Sequence, residues 1–498
     1  MHSSNQFAER IELSFYDYLC YYKSTLSTDT KGESIVQRVN WTQKLSGRTF
    51  TLENRTEPDL MREQFPYTMP PRITFDGVEV PLNPARNPFI TDTTFRDGQQ
   101  ARTPYTEDQI VHLFQLLHRL SGPNGLIRQS EFFLYSEKDR AAVRRCQELG
   151  YEFPEITAWM RATRKDFQLV KEMNIPETGI LTSCSDYHIY LKLGLDRQKA
   201  MMQYLDVVTA ALEAGIRPRC HLEDVTRADI YGFVIPFVQA VMALSQESGI
   251  PIKIRLCDTM GYGVSYPGAT LPRSVPRLVH AMIKDAGVPS ELLEWHGHND
   301  FHKGLINAST AWLYGCSSIN GTLLGFGERT GNTPIEALIM EYISLTGDNT
   351  VDATVITEIA RYFEKELGYN IPPMTPFVGK QFNVTSAGIH ADGIIKNEEI
   401  YNIFDTGTLL DRPLGVNVTD KAGVAGVAFW LNRVLNLHGN SRIDKRHPGV
   451  MAMTQWVQEQ YSDGRTTSLA EEEMMAAAFR FLPEYFDQEN EPDILGAD

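Results

Sequence analysis

The chain has 498 residues with 42% hydrophobic and 22% charged residues, which is typical of a globular protein large enough for a barrel with additions. Its formal net charge of −16 argues against general nucleic-acid binding, because phosphate contacts need a basic surface. We see no run of about 18 apolar residues and no basic-then-apolar start, so neither a membrane span nor a secretory signal is expected.

The six cysteines are scattered along the chain and form no CxxC pair. This pattern favours reduced thiols in a cytoplasmic protein over a disulfide framework or a zinc knuckle. They are Cys20, Cys146, Cys184, Cys220, Cys257 and Cys316.

Residues 1–87 are rich in turn formers and are predicted to be an N-terminal extension. From residue 88, continuous β-branched runs alternate with helical periodicity such as that of "TEDQIVHLFQLLHRL" and "DRQKAMMQYLDVVTAALEA". Eight such units between 88 and 346 predict an α/β fold, a (β/α)8 TIM barrel. An open doubly wound sheet is the rival, and the lack of a Gly-rich turn after strand one counts against it. The predicted strands are "PFITDTTF", "GLIRQSEFF", "FPEITAWM", "GILTSCS", "RPRCHLED", "PIKIRLCDT", "LLEWHGH" and "SINGTLLG".

After residue 346 the alternation stops. "TVDATVITEIARYFEKELGY" and "DKAGVAGVAFWLNRVLNL" predict helices, which indicates a mostly helical subdomain over 347–445. Residues 446–498 are predicted to form an acidic helical tail.

Ionisable groups follow six of the eight predicted strands, at the end of a barrel where catalytic side chains lie. Core packing alone would not produce this convergence. The segments are Arg96-Asp97, Ser185-Asp186, His221 to Asp224, Asp258-Thr259, His296 to Asp300 and Glu328 to Asn332.

The spacing of His296 and His298 indicates a metal site, because side chains at i and i+2 of a strand share a face. A lone HxH pair is weak evidence, but Asp97 can supply a carboxylate from another strand end. Two imidazoles and an oxygen-rich remainder favour Mg²⁺ or Mn²⁺, although Zn²⁺ or Co²⁺ also fit.

Plain structural roles stay open for several of the other polar residues. These roles are a helix cap for Glu223 or Asp224, an ion pair of Glu328 with Arg329, a solvated helical face for His188 and Lys192, and a loop position for His390.

Six motifs in order resemble the family of 2-isopropylmalate and homocitrate synthases, which are acyl-CoA condensing enzymes among the metal-dependent TIM-barrel lyases and synthases. The resemblance covers roughly residues 88–435. The motifs are "DTTFRDGQQ", "HLEDVTRAD", "LCDTMGYG", "HGHND", "GERTGNTPIEAL" and "SAGIHADGIIKNEEIY".

The resemblance implies roles for the residues that match these motifs. It implies condensation of acetyl-CoA with a 2-oxo acid, and then thioester hydrolysis. The implied roles are metal ligands for Asp97, His296 and His298, charge stabilisation at the ketone oxygen for Arg96, contact with the 2-oxo acid carboxylate for Thr259, proximity to the metal and the acetyl group for Asn332 and Glu328, and proximity to the reacting methyl for Glu223.

The resemblance also implies that the helical subdomain completes the active site of a neighbouring subunit. In the family a His and a Tyr eleven residues later do this, and His390 and Tyr401 have that spacing. A homodimer or higher homo-oligomer with shared sites is therefore expected.

Three departures from the family pattern bear on the acceptor. Residues after 446 do not resemble the leucine-binding domain of 2-isopropylmalate synthases, and residues 1–87 are an extension to which the resemblance assigns no role. Strand two, "RQSEFFLYSEKD", is unusually polar, so Arg128 and Gln129 are expected at the rim of the barrel. Together with His188 and Lys192, they would suit an acceptor that carries a second carboxylate. Arg161, after strand three, is a further candidate for substrate binding.

These features favour oxaloacetate or 2-oxoglutarate over 2-oxoisovalerate. The pattern is most similar to that of the Re-face citrate synthases of the family, with homocitrate synthase second and 2-isopropylmalate synthase third. A TIM-barrel acyl-CoA lyase is disfavoured because "GFGERTGNT" lacks the cysteine of that group. A non-catalytic binding protein would have no need for these residues.

Overall fold

The computed structural model describes residues 48–161 and 166–486. Residues 1–47 of the predicted extension and residues 487–498 of the predicted tail lie outside the described part. Within it, residues 48–88 form no helix and make one isolated β-bridge, Phe75 with Ala269. They run along the outside of the barrel and pair with its loops through backbone hydrogen bonds, for example from Thr270 to Thr74.

Eight parallel strands close into a barrel in the order β1 to β8, as the sequence predicts. Each predicted strand is confirmed, and the open doubly wound alternative is wrong because β1 pairs with β8. The strands are β1 Phe89–Asp92, β2 Ile127–Phe132, β3 Glu155–Met160, β4 Glu177–Ser183, β5 Arg217–Glu223, β6 Lys253–Asp258, β7 Leu293–Gly297 and β8 Ser318–Gly321.

Helices cover the outside of the barrel. The first is capped by Thr106, whose hydroxyl accepts from the Gln109 amide, and it buries Ile110, Leu113 and Leu117. The helices up to residue 346 are α1 Glu107–Ser121, α2 Glu137–Glu148, α3 Asp166–Glu172, α4 Arg197–Glu213, α5 Ile235–Ser248, α6 Val275–Lys284, α7 Gly304–Tyr314 and α8 Ile335–Thr346.

One stretch, Ile230–Ser248, passes a test of length and composition for a membrane span, and 61% of its most apolar window is buried inside the protein. It contains α5, which packs against neighbouring barrel helices α4 and α6. A buried core helix passes the same test, so this stretch is weak evidence for a span.

The C-terminal region holds two kinds of packing. Helix α9, Thr354–Lys365, buries Val355, Ile359 and Phe363 in the same apolar core as the barrel helices. Beyond it a separate small core joins Val427, Leu431, Val450 and Met474 with their neighbours. The elements there are β9 Val384–Thr385, α10 Gly388–Lys396, α11 Thr406–Leu410, β10 Gly415–Val416, α12 Gly423–Val434, α13 Pro448–Ser462 and α14 Glu471–Phe481.

The inward face of the barrel is charged, contrary to the continuous apolar strands that the sequence suggests. Arg219 of β5 lies 2.6 Å from Glu131 of β2, and since these strands are not neighbours, the two side chains meet across the interior. Arg255 lies 2.7 Å from Glu294 and 3.2 Å from Glu131. The apolar side chains Leu222 and Leu256 are also fully buried in the core.

The polar residues of strand two do not lie at the rim, so that prediction is wrong. Arg128 donates to the Asn87 side chain at 2.9 Å and stacks over Phe89. Gln129 points inward and donates to Glu155 and Glu177, the first residues of β3 and β4. Both residues sit at the start of their strand, so this part of β2 belongs to the opposite end of the barrel from the rim.

We expect Glu177→Leu to lower the free energy of unfolding by about 3–5 kcal/mol, because it leaves buried cations without their counter-charge. The carboxylate of Glu177 lies 3.2 Å from Arg219 and 3.0 Å from Lys253. Urea unfolding measures the change. Glu137→Gln is the matched control, since its carboxylate pairs with Arg140 on the exposed surface and should contribute nothing measurable. Equal effects for the two variants would contradict the expectation.

Candidate active site

Three buried side chains meet at the carboxyl end of the barrel. Asp97 lies on a single π-helical turn, Thr94–Gly98, that follows β1. His296 is in β7 and His298 follows it. The Nε2 atoms of the two histidines lie 3.5 Å and 3.7 Å from Oδ2 of Asp97. The predicted ligands are therefore brought together, with their candidate ligand atoms all within 4.8 Å of one another.

Neighbouring amides orient this cluster. Nδ1 of His296 hydrogen-bonds to Oδ1 of Asn320 at 2.7 Å, which leaves Nε2 facing Asp97. The side chain of Asn332 donates to Oδ2 of Asp97 at 3.0 Å. Nδ1 of His298 has no hydrogen-bond partner among the described residues.

The chemistry of the three donors fits a divalent metal ion. Burial lowers the pKa of His296 to about 3, so its imidazole is neutral, the form that binds a metal. Burial opposes ionisation of Asp97, but the charge of Arg96 and the hydrogen bond from Asn332 act against it, and the pKa of that carboxyl is lowered. Two neutral imidazoles and one carboxylate are the set that the sequence predicts.

Arg96 points into the barrel beside the cluster. Its Nε donates to Oε2 of Glu131 at 2.7 Å, and its NH1 lies 3.9 Å from Oδ2 of Asp97. The guanidinium also lies over the ring of Trp159 at 5.6 Å. Arg96 is therefore held beside the metal-ligand set by a buried partner, and it is not half of a surface ion pair.

Glu131 is the residue that sequence reasoning missed. Its carboxylate binds Arg96, Arg219 and Arg255 together. A signal was present, because Arg219 and Arg255 occupy inward positions of strands and need buried acids. Glu131 itself stands in the polar run "IRQSEF", and no pattern within that run pairs it with the arginines of β5 and β6.

Glu223, the last residue of β5, accepts hydrogen bonds from three directions. Ser183 donates to it, Nδ1 of His188 lies 3.0 Å away, and Nζ of Lys192 lies 3.2 Å from both oxygens. Burial raises the pKa of Glu223, but the bond to His188 with the other two groups lowers it to about 2. His188 and Lys192 therefore face Glu223 and do not form a mere solvated face.

The expected helix cap is supplied by another residue. Asp224 has a left-handed backbone with φ of 65° and accepts from Ser185 and Arg227. Asp229 accepts from the amide of Gly232 at the start of the helical stretch that continues into α5. The side chain of Glu223 has no capping role either.

Thr259 follows β6, and its hydroxyl oxygen accepts from the backbone amide of Asp224 at 2.8 Å. Glu328 is exposed in the loop after β8. The expected ion pair of Glu328 with Arg329 is not formed, since Arg329 binds Asp300 at 2.8 Å and also donates to the carbonyl of Thr259.

The remaining predicted substrate contact in the barrel is Arg161. It is exposed directly after β3, its backbone amide donates to the hydroxyl of Tyr135, and its guanidinium lies 5.0 Å from that ring. It shares the carboxyl end of the barrel with the cluster, whereas Arg128 does not.

His390 and Tyr401 lie outside the barrel and contact each other. Their rings are 4.3 Å apart, and Nδ1 of His390 hydrogen-bonds to the hydroxyl of Thr385 at 3.1 Å. The pairing of the two residues agrees with their spacing in the sequence. Their contribution to a neighbouring subunit stays a prediction.

Removing one imidazole should abolish metal binding. We expect His298→Ala to lose stoichiometric divalent metal, because only two of the three buried donors remain. Metal analysis of the purified variant measures this. His438→Ala is the control, since the His438 imidazole hydrogen-bonds to the side chain of Asn436 in the C-terminal region and its loss should leave the metal content unchanged. Full metal content in His298→Ala would contradict the assignment.

Comparisons with known proteins identify the family of this chain. The HMGL-like family model matches residues 87–362. A citrate (Re)-synthase of Syntrophus aciditrophicus is 60% identical over 438 residues, which are 88% of this chain and 70% of that protein. A citrate (Re)-synthase of Clostridium kluyveri is 51% identical over 443 residues, 89% of this chain and 98% of that protein. A 2-phosphinomethylmalate synthase of Streptomyces hygroscopicus is 35% identical over 426 residues, 84% of this chain and 95% of that protein. The chain therefore belongs to the HMGL-like family, in its branch of acyl-CoA condensing synthases.

Proposed function

We propose that this protein condenses acetyl-CoA with oxaloacetate on the Re face and hydrolyses the thioester, which yields citrate and CoA. The observation that carries the proposal is the convergence of Arg96 on the cluster of Asp97, His296 and His298. The two relatives named citrate (Re)-synthase, at 60% and 51% identity, support the acceptor. The argument from a polar strand-two rim does not, because those side chains lie elsewhere.

The ketone of the acceptor is activated beside Arg96. A divalent ion, Mn²⁺ or Mg²⁺ in first place and Co²⁺ or Zn²⁺ in second, would be held by Asp97, His296 and His298 and would supply Lewis-acid polarisation of the ketone. Arg96 adds a fixed cation for the negative charge that develops on the ketone oxygen. The side chain is held by Glu131 before substrate arrives, so little reorganisation is needed.

Two residues of neighbouring strands receive the reactants. Thr259 accepts from the amide of Asp224, so its own proton can be donated to the carboxylate beside the ketone. Glu223 is ionised and held by His188 and Lys192, which places a fixed negative charge beside the acetyl methyl. Asn332 fixes Asp97, while Glu328 and Arg161 at the same end of the barrel are candidates for contact with the acetyl-CoA and acceptor.

A second copy of the chain completes the site in this proposal. His390 and Tyr401 form a ready-made pair for proton transfer and alkoxide stabilisation. Large apolar side chains around them are exposed, with Ile389 at 77% and Ile403 at 97%. Exposed apolar groups of this size favour burial against a partner, which supports a homodimer with shared active sites.

A cytoplasmic location accompanies the proposal. The five cysteines of the described residues, including Cys184 and Cys257, are free and buried. Reduced thiols of this kind are typical of a reducing compartment, and the partners proposed there are acetyl-CoA, a 2-oxo acid and a second copy of this chain.

The direct test is a CoA-release assay with acetyl-CoA and four acceptors. We expect release with oxaloacetate to exceed that with 2-oxoglutarate, 2-oxoisovalerate and pyruvate. Labelled acetyl-CoA, followed by a stereospecific citrate-cleaving enzyme, then shows which face was attacked. Preference for 2-oxoglutarate would indicate homocitrate synthesis, and preference for 2-oxoisovalerate would indicate isopropylmalate synthesis. Release with none of the four would favour a lyase or a binding protein.

Arg96→Ala should reduce kcat by roughly 10²–10³-fold, because the developing oxyanion loses a preorganised cation. The metal content should be unchanged, since the three ligands remain. Arg361→Ala is the control, because Arg361 pairs with Asp411 on the exposed surface far along the chain. Retention of full activity in Arg96→Ala would remove its assigned role.

Sharing of sites can be tested by mixing two inactive variants. Arg96→Ala and His390→Ala chains, once exchanged into mixed dimers, should recover partial activity because one of the two sites is then intact. Size-exclusion chromatography with differently tagged chains verifies the exchange. Exchange without recovered activity would show that each chain supplies its own residues.

A further inference from the structure

Residues 48–76 form a segment that we call the rim strap. It lies before residue 87, where the match to the HMGL-like family model begins. In the structure it makes contact with the loops that follow β4, β5 and β6. These loops begin directly after Ser183, Glu223 and Asp258.

The first anchor of the rim strap is a buried ion-pair triad. Arg197 is fully buried, binds Asp186 with two nitrogens at 2.9 Å, and binds Asp229 at 2.8 Å. The same guanidinium donates to the carbonyl of Glu53 at 3.1 Å. Asp186 also accepts from the backbone amide of Asp59 at 2.7 Å. The loops after β4 and β5 are thus joined to the strap at one point.

The second anchor holds a single helical turn. Tyr187–Lys192 is a π-helical turn in which only Ile189 is fully buried. The hydroxyl of Tyr187 donates to the carbonyl of Leu60 at 2.8 Å, and the hydroxyl of Tyr190 donates to the carbonyl of Arg55 at 2.6 Å. Both bonds run from the turn to the strap.

The third anchor reaches the loop after β6. Arg273 donates to the carbonyl of Pro71 at 3.1 Å, and the amide of Thr270 donates to the carbonyl of Thr74 at 2.9 Å. Phe65, which is buried, packs edge-on against Tyr262. The strap therefore crosses the rim from the loop after β4 to the loop after β6.

The turn is the part of this arrangement that bears on chemistry. It carries His188 and Lys192, which lie 3.0 Å and 3.2 Å from the carboxylate of Glu223. Leu191 and Lys192 are largely exposed. The turn is held by Ile189 and the Tyr190 ring against the core, by Arg227 over the Tyr187 ring at 4.2 Å, and by the two hydroxyl bonds to the strap.

We propose that the rim strap is a positioning element of the active site, which holds the Tyr187–Lys192 turn so that His188 and Lys192 fix Glu223. Tyr187, Tyr190 and Asp186 are the positioning residues. The proposal rests on the proposed function only in placing Glu223 beside the acetyl methyl. It gives residues outside the barrel a part in catalysis without any contact with substrate.

The test uses the full chain with its metal and removes two hydroxyl groups. In Tyr187→Phe/Tyr190→Phe both rings remain, and only the bonds to the strap are lost. We expect kcat to fall on the order of tenfold, as displaced catalytic groups commonly cost at least that much. The KM for oxaloacetate and the metal content should be unchanged, because Asp97, His296 and His298 are untouched. Tyr461→Phe is the matched control, since it removes a hydroxyl-to-carbonyl bond of 2.9 Å in the C-terminal region.

A double-mutant cycle separates positioning from general loosening. Lys192→Met alone should reproduce most of the loss in kcat, and the two Tyr→Phe changes should add little in that background. The proposal would be overturned if the two Tyr→Phe changes lowered kcat in the Lys192→Met background as much as they do in the wild-type chain. It would also be overturned if neither Lys192→Met nor the double Tyr→Phe variant lowered kcat. If the wild-type chain prefers another acceptor, the proposed function fails, but the same cycle run with that acceptor still decides the role of the strap.

Discussion

The carboxylate of Glu131 is the point on which both the barrel interior and the active site depend. It is fully buried on β2 and lies within 3.2 Å of Arg96, Arg219 and Arg255. Burial opposes its ionisation, but Arg255 with the other two guanidinium groups holds the pKa of Glu131 well below its usual range. Arg219 and Arg255 lie at the centre of the barrel, whereas Arg96 lies beside the proposed metal ligands. A change in the barrel core that moves Glu131 would therefore also move Arg96.

This arrangement costs stability and provides order. An apolar core of the same volume would avoid the desolvation of several buried charges, which amounts to several kcal/mol for each ion. In return, the two guanidinium groups at the centre of the barrel each have at least two acceptors: Gln129 and Glu131 for Arg219, and Glu131 and Glu294 for Arg255. Arg96 is held in a fixed position because it binds the same carboxylate, that of Glu131. A preorganised cation of this kind is worth more at a developing oxyanion than a mobile one at the surface.

The sequence predicts the parts that follow from periodicity and from one short spacing. Eight β/α units predict the barrel, and the i, i+2 spacing of His296 and His298 with Asp97 after the first strand predicts the metal cluster. Prediction from the sequence fails where residues that contact each other in the structure are distant in the chain. The polarity of "IRQSEF" was visible, but only the pairing of Glu131 with Arg219 shows that it serves the interior. The preference for oxaloacetate is supported by relatives, although the argument from Arg128 was wrong. The contacts of residues 48–76 with the rim follow from no local pattern.

The two halves of the proposed chemistry are therefore held in different ways. The half that stabilises negative charge is built from Arg96, Asp97 and two histidines, and it is tied to buried strands and to Glu131. The half that handles protons includes Glu223, and the side chains that hold it, His188 and Lys192, come from a short turn tied to a surface segment. A rigid electrostatic half is required because a displaced charge loses its effect steeply with distance in a low dielectric. The proton-transfer half can be adjusted from the periphery, so residues outside the barrel can change the rate without altering how the ketone is bound.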